Sequence, residues 1–350
     1  MLEPRYRVGI IGTGRIASTI QDEIETAPFS FLLPYSHAGA YAAHPATTIV
    51  AAADSNQERL DAFGARWGVE QLYPDYREML AAEPLDLVSI CVPTRAHTAV
   101  MNAVIASNSK VRGVFMEKPV GQTLREVDVM IAAADAAGIR SVVNHVRTFD
   151  PYYRRIRWLI ETGAIGTVRT VMVHWHEGMS FGGSHLFDLL RFLLGAEAAW
   201  VFARLDREPG LFDPGGSGVV GFANGVEVFL NNSVGHAAPR ELDIVGDAGR
   251  IRAGDTLFPE LSTQDPASPF GELVRRPFPG SVIGTSPMTV AVGELLRAVE
   301  TGEKPASDLR DGRANLEIAV ACHLSDRARQ SIDLPVHDLD LAVDDPWGRT

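Results

Sequence analysis

Three stretches of the chain hold the residue types and spacings that binding and chemistry need. The first is Gly12-Thr13-Gly14-Arg15-Ile16-Ala17, which follows a short apolar run, Val8 to Ile11. Gly12 allows a tight turn. Gly14 has no Cβ, so a pyrophosphate can approach its backbone. Ala17 is small enough for a helix to lie close to a sheet. A helix opening at Arg15 and Ile16 offers free N–H groups and a partial positive charge to phosphates. The second is Asp54, which closes the apolar stretch Thr47 to Ala53. A carboxylate there can accept hydrogen bonds from both hydroxyls of an adenine ribose, and it would repel a 2′-phosphate. Ser55 and Asn56 supply no cation for such a phosphate, and only Arg59 could reach, so the pattern favours NAD over NADP. Asp54 can also act as a helix N-cap, and the two roles are compatible. The third is Glu117-Lys118-Pro119, directly after the apolar run Gly113 to Met116. A Glu and a Lys at the mouth of a buried strand are not needed for folding. The alternative is an exposed ion pair at a strand end.

The elements that must position these residues alternate strand and helix. Thr47 to Ala53, Leu85 to Val92 and Gly113 to Met116 have no polar face, as strands of a parallel sheet covered on both sides do not. Arg15 to Glu25, Gln57 to Trp67, Tyr76 to Ala82, Ala99 to Ser107 and Leu124 to Ala137 read as helices, and Ser141 to Asn144 as a further strand. Ligands bind at the C-terminal ends of parallel strands. Pro93 and Thr94 therefore fall on the cofactor side. His97 in the next turn fits a cofactor contact or a surface histidine equally. Residues 26–45 hold three prolines and several apolar side chains, and they push Asp54 much further from the glycines than the usual ~20 residues. This segment reads as a surface excursion with its own small cluster, in preference to a flap at the ligand mouth. Arg147 to Pro151 reads as the exit from the first domain.

Beyond residue 151 the character changes. Tyr152 to Thr162 is helical, and from Val168 alternating runs with turns at Asn224-Gly225 and Gly246 to Gly249 predict antiparallel strands. A helix from His185 to Leu194 lies among them. Pro259 to Pro287 reads as irregular, Thr289 to Thr301 and Gly312 to Gln330 as helices, and Val336 to Thr350 as an acidic surface tail. The fold class is thus an α/β Rossmann domain over 1–149 with a parallel sheet. An α+β domain with an open-faced, mostly antiparallel sheet follows over 150–350, and its final helices are free to pack back on the first domain.

The bulk properties agree. At 350 residues, two domains are the natural prior. A formal net charge of -12 argues against nucleic acid or an anionic membrane surface as partner. Cys91 and Cys322, the two cysteines, form neither a disulfide framework nor a zinc spacing, and Cys91 reads as a buried small hydrophobe. No apolar stretch is long enough to cross a membrane, and the N-terminus lacks a signal-peptide core. The expectation is a cytoplasmic enzyme.

The ordered set of Gly12-x-Gly14-x-x-Ala17, strand-end Asp54, Pro93-Thr94-x-x-His97, Glu117-Lys118-Pro119 and a following antiparallel domain resembles the Gfo/Idh/MocA oxidoreductases. The resemblance covers most of the chain. It also takes in Ala136 to Arg147, Ile165 to Val168 and Val245 to Gly249. It implies hydride transfer between NAD(P) and a carbon of a sugar, sugar derivative or polyol. It also implies a homodimer or homotetramer formed through the open sheet. By position, Lys118 would sit beside the nicotinamide ribose and the substrate hydroxyl, with Glu117 at the cofactor. A lysine there can orient the hydroxyl and stabilise negative charge as its proton leaves. His185 matches the family's catalytic histidine, a natural proton acceptor because its unperturbed pKa lies near neutrality. Asp188 matches the acidic residue after it.

One departure stands out. Many family members carry Asp four residues before this histidine, and here the residue is Phe181, which cannot move a proton. Either His185 and Lys118 act alone, or His145, His174, His176 or Glu177 helps. His145 and His176 are therefore candidate substrate contacts beside Lys118, His185 and Asp188. His174 and His176 would share a strand face, and with His185 they could form a three-histidine metal site. A polar face lining a sugar pocket is the preferred reading, with no metal. Trp175 would point the other way, into packing or a subunit contact. Arg147 and Arg240 read as surface ion pairs before substrate ligands. Two other functions remain compatible: a glycosidase that uses NAD for transient oxidation and elimination, and a cofactor-sensing regulator on a dehydrogenase scaffold.

Overall fold

A computed structural model describes residues 6–27, 30–107, 109–206, 213–232, 240–255, 258–280 and 284–343. Contacts divide the chain into two compact units. One runs through Pro151 and resumes with the segment ending at Arg313. The other starts at Tyr152 and resumes at Ala314.

The first unit is built on β1 (Tyr6–Ile11), a π turn (Arg15–Thr19), α1 (Ile20–Glu25), α2 (His37–Ala43), β2 (Thr47–Ala53), α3 (Gln57–Trp67), β3 (Gln71–Tyr73) and α4 (Tyr76–Ala82). It continues with β4 (Leu87–Ile90), α5 (Thr94–Ala106), β5 (Gly113–Met116), α6 (Leu124–Ala136), β6 (Arg140–Val143) and α7 (Val146–Phe149). The six strands pair in the order β3-β2-β1-β4-β5-β6, all parallel, which is the doubly wound Rossmann arrangement. Val8, Ile10, Leu87 and Phe115 are fully buried, as strands covered on both faces require.

The excursion expected at 26–45 is exposed at Ser30, Phe31 and Ala42 to Ala43, but the body of α2 within it is buried. Ser36 caps α2 by accepting the Gly39 N–H at 3.0 Å, and Ala38, Ala40 and Tyr41 are fully buried in the main core. A Cβ at Gly39 would meet Gln21 Oε1 at 2.1 Å, so any larger residue there would have to displace the end of the Gln21 side chain. Pro28 and Phe29 of that segment lie outside the described residues.

The second unit comprises α8 (Pro151–Glu161), β7 (Val168–His174), α9 (Gly183–Leu194), β8 (Ala198–Leu205), β9 (Gly216–Phe222), β10 (Glu227–Asn232), β11 (Glu241–Gly246) and β12 (Gly249–Gly254). β13 (Glu260–Gln264) and β14 (Leu273–Arg276) follow. Helix α10 (Pro287–Thr301) contributes Met288, Val292 and Leu295 to the core of the first unit. The division between units falls within α11 (Leu309–Ala328), and β15 (Ile332–Asp333) ends the order. The nine strands run β14-β13-β12-β11-β7-β10-β9-β8-β15. β7 and β10 pair in parallel and the other pairs are antiparallel, so the sheet is mixed rather than a simple meander. One face is buried through Val171, Val173, Val201, Val220, Val228 and Ile251. The other keeps Met172 and Phe202 in solvent beside ion pairs such as Arg250–Asp243 and Arg275–Glu260.

The stretch 259–287 is not irregular throughout, because β13 and β14 extend the sheet. Their register opposes Leu261 to Arg276, and the many charged and exposed side chains hid the alternation. Residues 344–350 of the expected acidic tail lie outside the described residues. Among the described residues, no helix is long and apolar enough to cross a membrane.

Candidate active site

In the first unit the candidate residues gather at the C-terminal edge of the parallel sheet, because β1, β2, β4, β5 and β6 all end there. Gly12 follows β1 with φ +87°, and a Cβ would lie 2.7 Å from the Cys91 carbonyl oxygen. Only glycine tolerates both the left-handed backbone and that approach. In front of Gly14 a Cβ would meet no atom within 4 Å, so the turn faces open space. The helix expected from Arg15 begins instead as the π turn, with no side chain capping it at Gly14.

Asp54 ends β2 with its carboxylate held on both sides. Oδ2 accepts the Thr13 N–H at 2.8 Å and its hydroxyl at 3.1 Å, and Oδ1 accepts the Asn56 N–H at 2.8 Å. The cap of α3 is Asn56, which accepts the Arg59 N–H at 2.9 Å, so Asp54 is left to order the glycine turn. An open glycine turn and a fixed strand-end carboxylate fit a dinucleotide, its pyrophosphate at Gly14 and its adenine ribose at Asp54. Arg59 Nη2 lies 3.5 Å from Asp54 Oδ1.

Pro93 occupies the cap position of α5, which starts at Thr94, five residues before the expected Ala99. His97 is buried, with Nε2 2.9 Å from the Val92 carbonyl oxygen, which overturns the surface-histidine alternative. His145 is buried after β6, with Nδ1 2.9 Å from Ser307 Oγ.

Glu117 is not part of an exposed ion pair. Its Oε1 lies 2.9 Å from His37 Nε2 and accepts Asn144 Nδ2 at 2.6 Å, while Oε2 lies 3.3 Å from the Lys118 backbone N–H. Burial pushes its pKa up, but hydrogen bonding and charge from His37, then Asn144 and Lys118, outweigh it and hold the carboxyl below its ordinary value. A carboxyl with a lowered folded-state pKa stabilises the fold above the unfolded-state value, and that stabilisation is lost as pH falls through the folded-state value. The chain is therefore expected to lose melting temperature below about pH 4.5 more steeply than Glu117→Gln. Parallel melting-temperature curves from pH 7 to 3 would remove Glu117 from the account.

In the second unit the strand β7 stops at His174, whose Nδ1 lies 3.3 Å from Asn231 Nδ2. The alternation that would put His176 on the same strand face therefore does not apply. Trp175 is buried in packing, with the Arg240 guanidinium 6.0 Å from its ring centre. Arg240 joins Glu177 at 2.5 Å and Asp255 at 3.3 Å. Among the described residues no group of three or more His, Cys, Asp or Glu could hold a metal.

His185 lies in the first turn of α9 and is partly exposed. The loop before it is fixed by Asp213, whose carboxylate accepts the N–H groups of Ser180, Phe181 and Gly182 at 2.8, 2.9 and 3.2 Å. Ser180 Oγ lies 3.0 Å from His323 Nε2. Asp188, one turn past His185, is buried and accepts Asn315 Nδ2 at 2.9 Å, so it supports α9 from within the unit. His37, Asn144, Asp213 and His323 were not singled out from sequence. Only Asn144 gave a signal, standing at a strand end as Asp54 does.

Strand order, open glycine turn and strand-end carboxylate define a Rossmann scaffold suited to a dinucleotide. The sequence model described as "Oxidoreductase family, NAD-binding Rossmann fold" matches residues 6–145, and the "GFO/IDH/MocA C-terminal domain" matches residues 153–252. The chain belongs to the Gfo/Idh/MocA family of oxidoreductases. It is 24% identical to the myo-inositol 2-dehydrogenase of Thermotoga maritima over 94% of this chain and 98% of that protein. It is 29% identical to the uncharacterized oxidoreductase YrbE of Bacillus subtilis over 56% of each chain. Its fold matches that of the WlbA dehydrogenase from Bordetella pertussis, solved with NADH and UDP-GlcNAcA. The TM-score is 0.75 at 20% identity, over 95% of this chain and 99% of that one.

Proposed function

We propose that the protein is an NAD-dependent dehydrogenase that oxidises a CH–OH carbon of a sugar, sugar derivative or polyol. The observation that carries this is Lys118, set at the sheet edge beside a largely buried Glu117 held by His37 and Asn144, in a unit whose Gly14 and Asp54 fit the dinucleotide. Membership of an NAD-binding oxidoreductase family and likeness to an inositol dehydrogenase support the substrate class. NAD bound there supplies the hydride acceptor. Lys118 orients the substrate hydroxyl and stabilises its developing negative charge, and His185 takes the proton. The exposed Met172 and Phe202 of the second sheet are where a homodimer or homotetramer would form.

The test is NADH absorbance with a panel of sugars, inositols and aldonates, with NADP in parallel. A steady rise that vanishes in Lys118→Ala and His185→Ala supports the reading. Tight NAD binding with glycoside cleavage and no net NADH would replace it with the glycosidase, the alternative that Phe181 in place of an acid keeps in play. A biological activity untouched by Lys118→Ala would point to a regulator.

Cofactor preference has its own test. Asp54→Ala removes the acceptor for the ribose hydroxyls and the charge that repels a 2′-phosphate, and leaves Arg59 nearby. A charged hydrogen bond is worth about 1.5–3 kcal/mol, so the NAD-to-NADP ratio of kcat/KM is expected to fall ~10–100-fold. An unchanged ratio would take Asp54 out of cofactor recognition.

A further inference from the structure

A cavity of about 270 Å³ lies in the first unit, at the opposite end of β6 from the candidate active site. Arg140 and Ser141 open β6 there, whereas Asn144 and His145 follow its other end. The last turns of α6, the turn after α10 and the start of α11 supply the remaining walls. Ala134, Ile139 and Leu309 form a buried apolar lining.

The charged groups of this cavity are of two kinds. Arg310 is paired with Asp135, and Lys304 with Asp311 at 3.1 Å. Asp308 and Arg140 have no such pairing. Asp308 is only 8% exposed, and its Oδ1 caps α11 by accepting the Arg310 and Asp311 N–H groups at 2.8 and 3.1 Å. Its Oδ2 accepts no hydrogen bond from any described residue, and is the oxygen left to face the cavity. Asp311 reaches back to the Asp308 N–H at 3.0 Å, so two carboxylates lie side by side and share one lysine. Burial, then the Asp311 charge, push the Asp308 carboxyl above its ordinary value, and Lys304 offsets them only in part. A cation at Oδ2 would offset the rest. At the rim, the Arg140 side chain makes no ion pair or hydrogen bond with a described residue. Its guanidinium lies against Gly302, where a Cβ would come within 3.4 Å of Nη2. Glu303 is exposed at the same rim.

We propose that this cavity binds a small aliphatic α-amino acid, its ammonium group on Asp308 Oδ2, its carboxylate on the Arg140 guanidinium and its side chain against Ala134, Ile139 and Leu309. Both polar contacts are charge-assisted, and a guanidinium fork matches a carboxylate with two parallel hydrogen bonds. The other ligand classes fit less well. An inorganic anion would face Asp308 and Glu303. A simple amine would leave Arg140 without a counter-charge. No residue of the candidate active site takes part, so the proposal stands apart from the dehydrogenase reading.

The test is isothermal titration calorimetry of the full chain at neutral pH with L-alanine, L-valine and L-leucine. Each is compared with the amine left by removing its carboxyl group and the acid left by removing its amino group. At least one amino acid is expected to bind with millimolar or tighter affinity. Its amine and its acid are each expected to bind about tenfold more weakly or worse, because each loses one charged hydrogen-bonded pair. Asp308→Asn keeps the helix cap, since Asn caps as well as Asp, but removes the charge at Oδ2. Arg140→Gln removes the fork. Each substitution is expected to weaken amino-acid binding by about tenfold or more.

Groups that only cap α11 or complement the end of α10 would change the melting temperature of these variants and leave ligand binding as it was. That result overturns the proposal. So does the absence of binding by all three amino acids, or an amine that binds as tightly as its parent. Should Asp308→Asn not fold, Arg140→Gln, a change at the rim, decides alone.

Discussion

Lys118→Ala is expected to lower kcat/KM for NADH formation by about 10²–10⁴-fold, the usual contribution of a positioned acid–base group. NAD affinity should change far less, because Gly14 and Asp54, which fit the pyrophosphate and ribose, stand on other strands. The split matters. An interaction made mainly as charge develops on the substrate oxygen lowers kcat and kcat/KM together, whereas one that only binds raises KM. Lys118→Arg keeps a cation but replaces a compact ammonium with a planar fork, so it is expected to recover only part of the loss. Steady-state kinetics on the substrate identified from the panel, with NAD binding followed by fluorescence, measure both quantities. A kcat within threefold of the original would remove Lys118 from the chemistry and leave it as a cofactor neighbour.

Local pattern explains how much of this could be read without coordinates. β2, α4 and β5 occupy the expected residues, Thr47–Ala53, Tyr76–Ala82 and Gly113–Met116. Each is an apolar or periodic run with punctuation at both ends. Gly12, Gly14 and Asp54 were legible for the same reason, since turn chemistry and strand ends are local properties. The misses have non-local causes. Helix α2 has only seven residues and is held by burial of Tyr41 and the close approach at Gly39, neither of which leaves a periodic signal. β13 and β14 are defined by their neighbours in the sheet more than by their own side chains. The Glu117 network joins residues 80 positions apart in sequence at His37 and 27 apart at Asn144. No spacing rule predicts which histidine reaches a given strand end. Glu117-Lys118 stood out in the sequence as a charged pair at a strand end, but the direction of its carboxylate, inward to His37, did not.

The loop before His185 depends on a choice of the same non-local kind, and Asp213→Ala should show its weight. One carboxylate accepts three successive backbone N–H groups, those of Ser180, Phe181 and Gly182, from 31 to 33 residues away. Gly178 is required by the same arrangement, because a Cβ there would lie 2.1 Å from Asp213 Cγ. The loop then closes on itself, with the Gly183 N–H on the Gly178 carbonyl at 2.7 Å and the His185 N–H on the Gly182 carbonyl at 3.2 Å. Alanine leaves three donors without their acceptor. Unsatisfied buried groups cost about 1–3 kcal/mol each, and partial access of water to this loop reduces the total to about 2–4 kcal/mol. Melting should fall by roughly 5–10 °C for a unit of this size. If His185 is the proton acceptor, a loop that no longer fixes the start of α9 should also lower kcat by about 10–100-fold, since misplacement of about an ångström costs that much. Asp213→Asn keeps one acceptor oxygen and should fall between. Calorimetry and kcat on the three proteins decide the matter. A lower melting temperature with unchanged kcat would mean that the loop holds the fold but not the histidine. Unchanged values of both would mean that water replaces the carboxylate without loss.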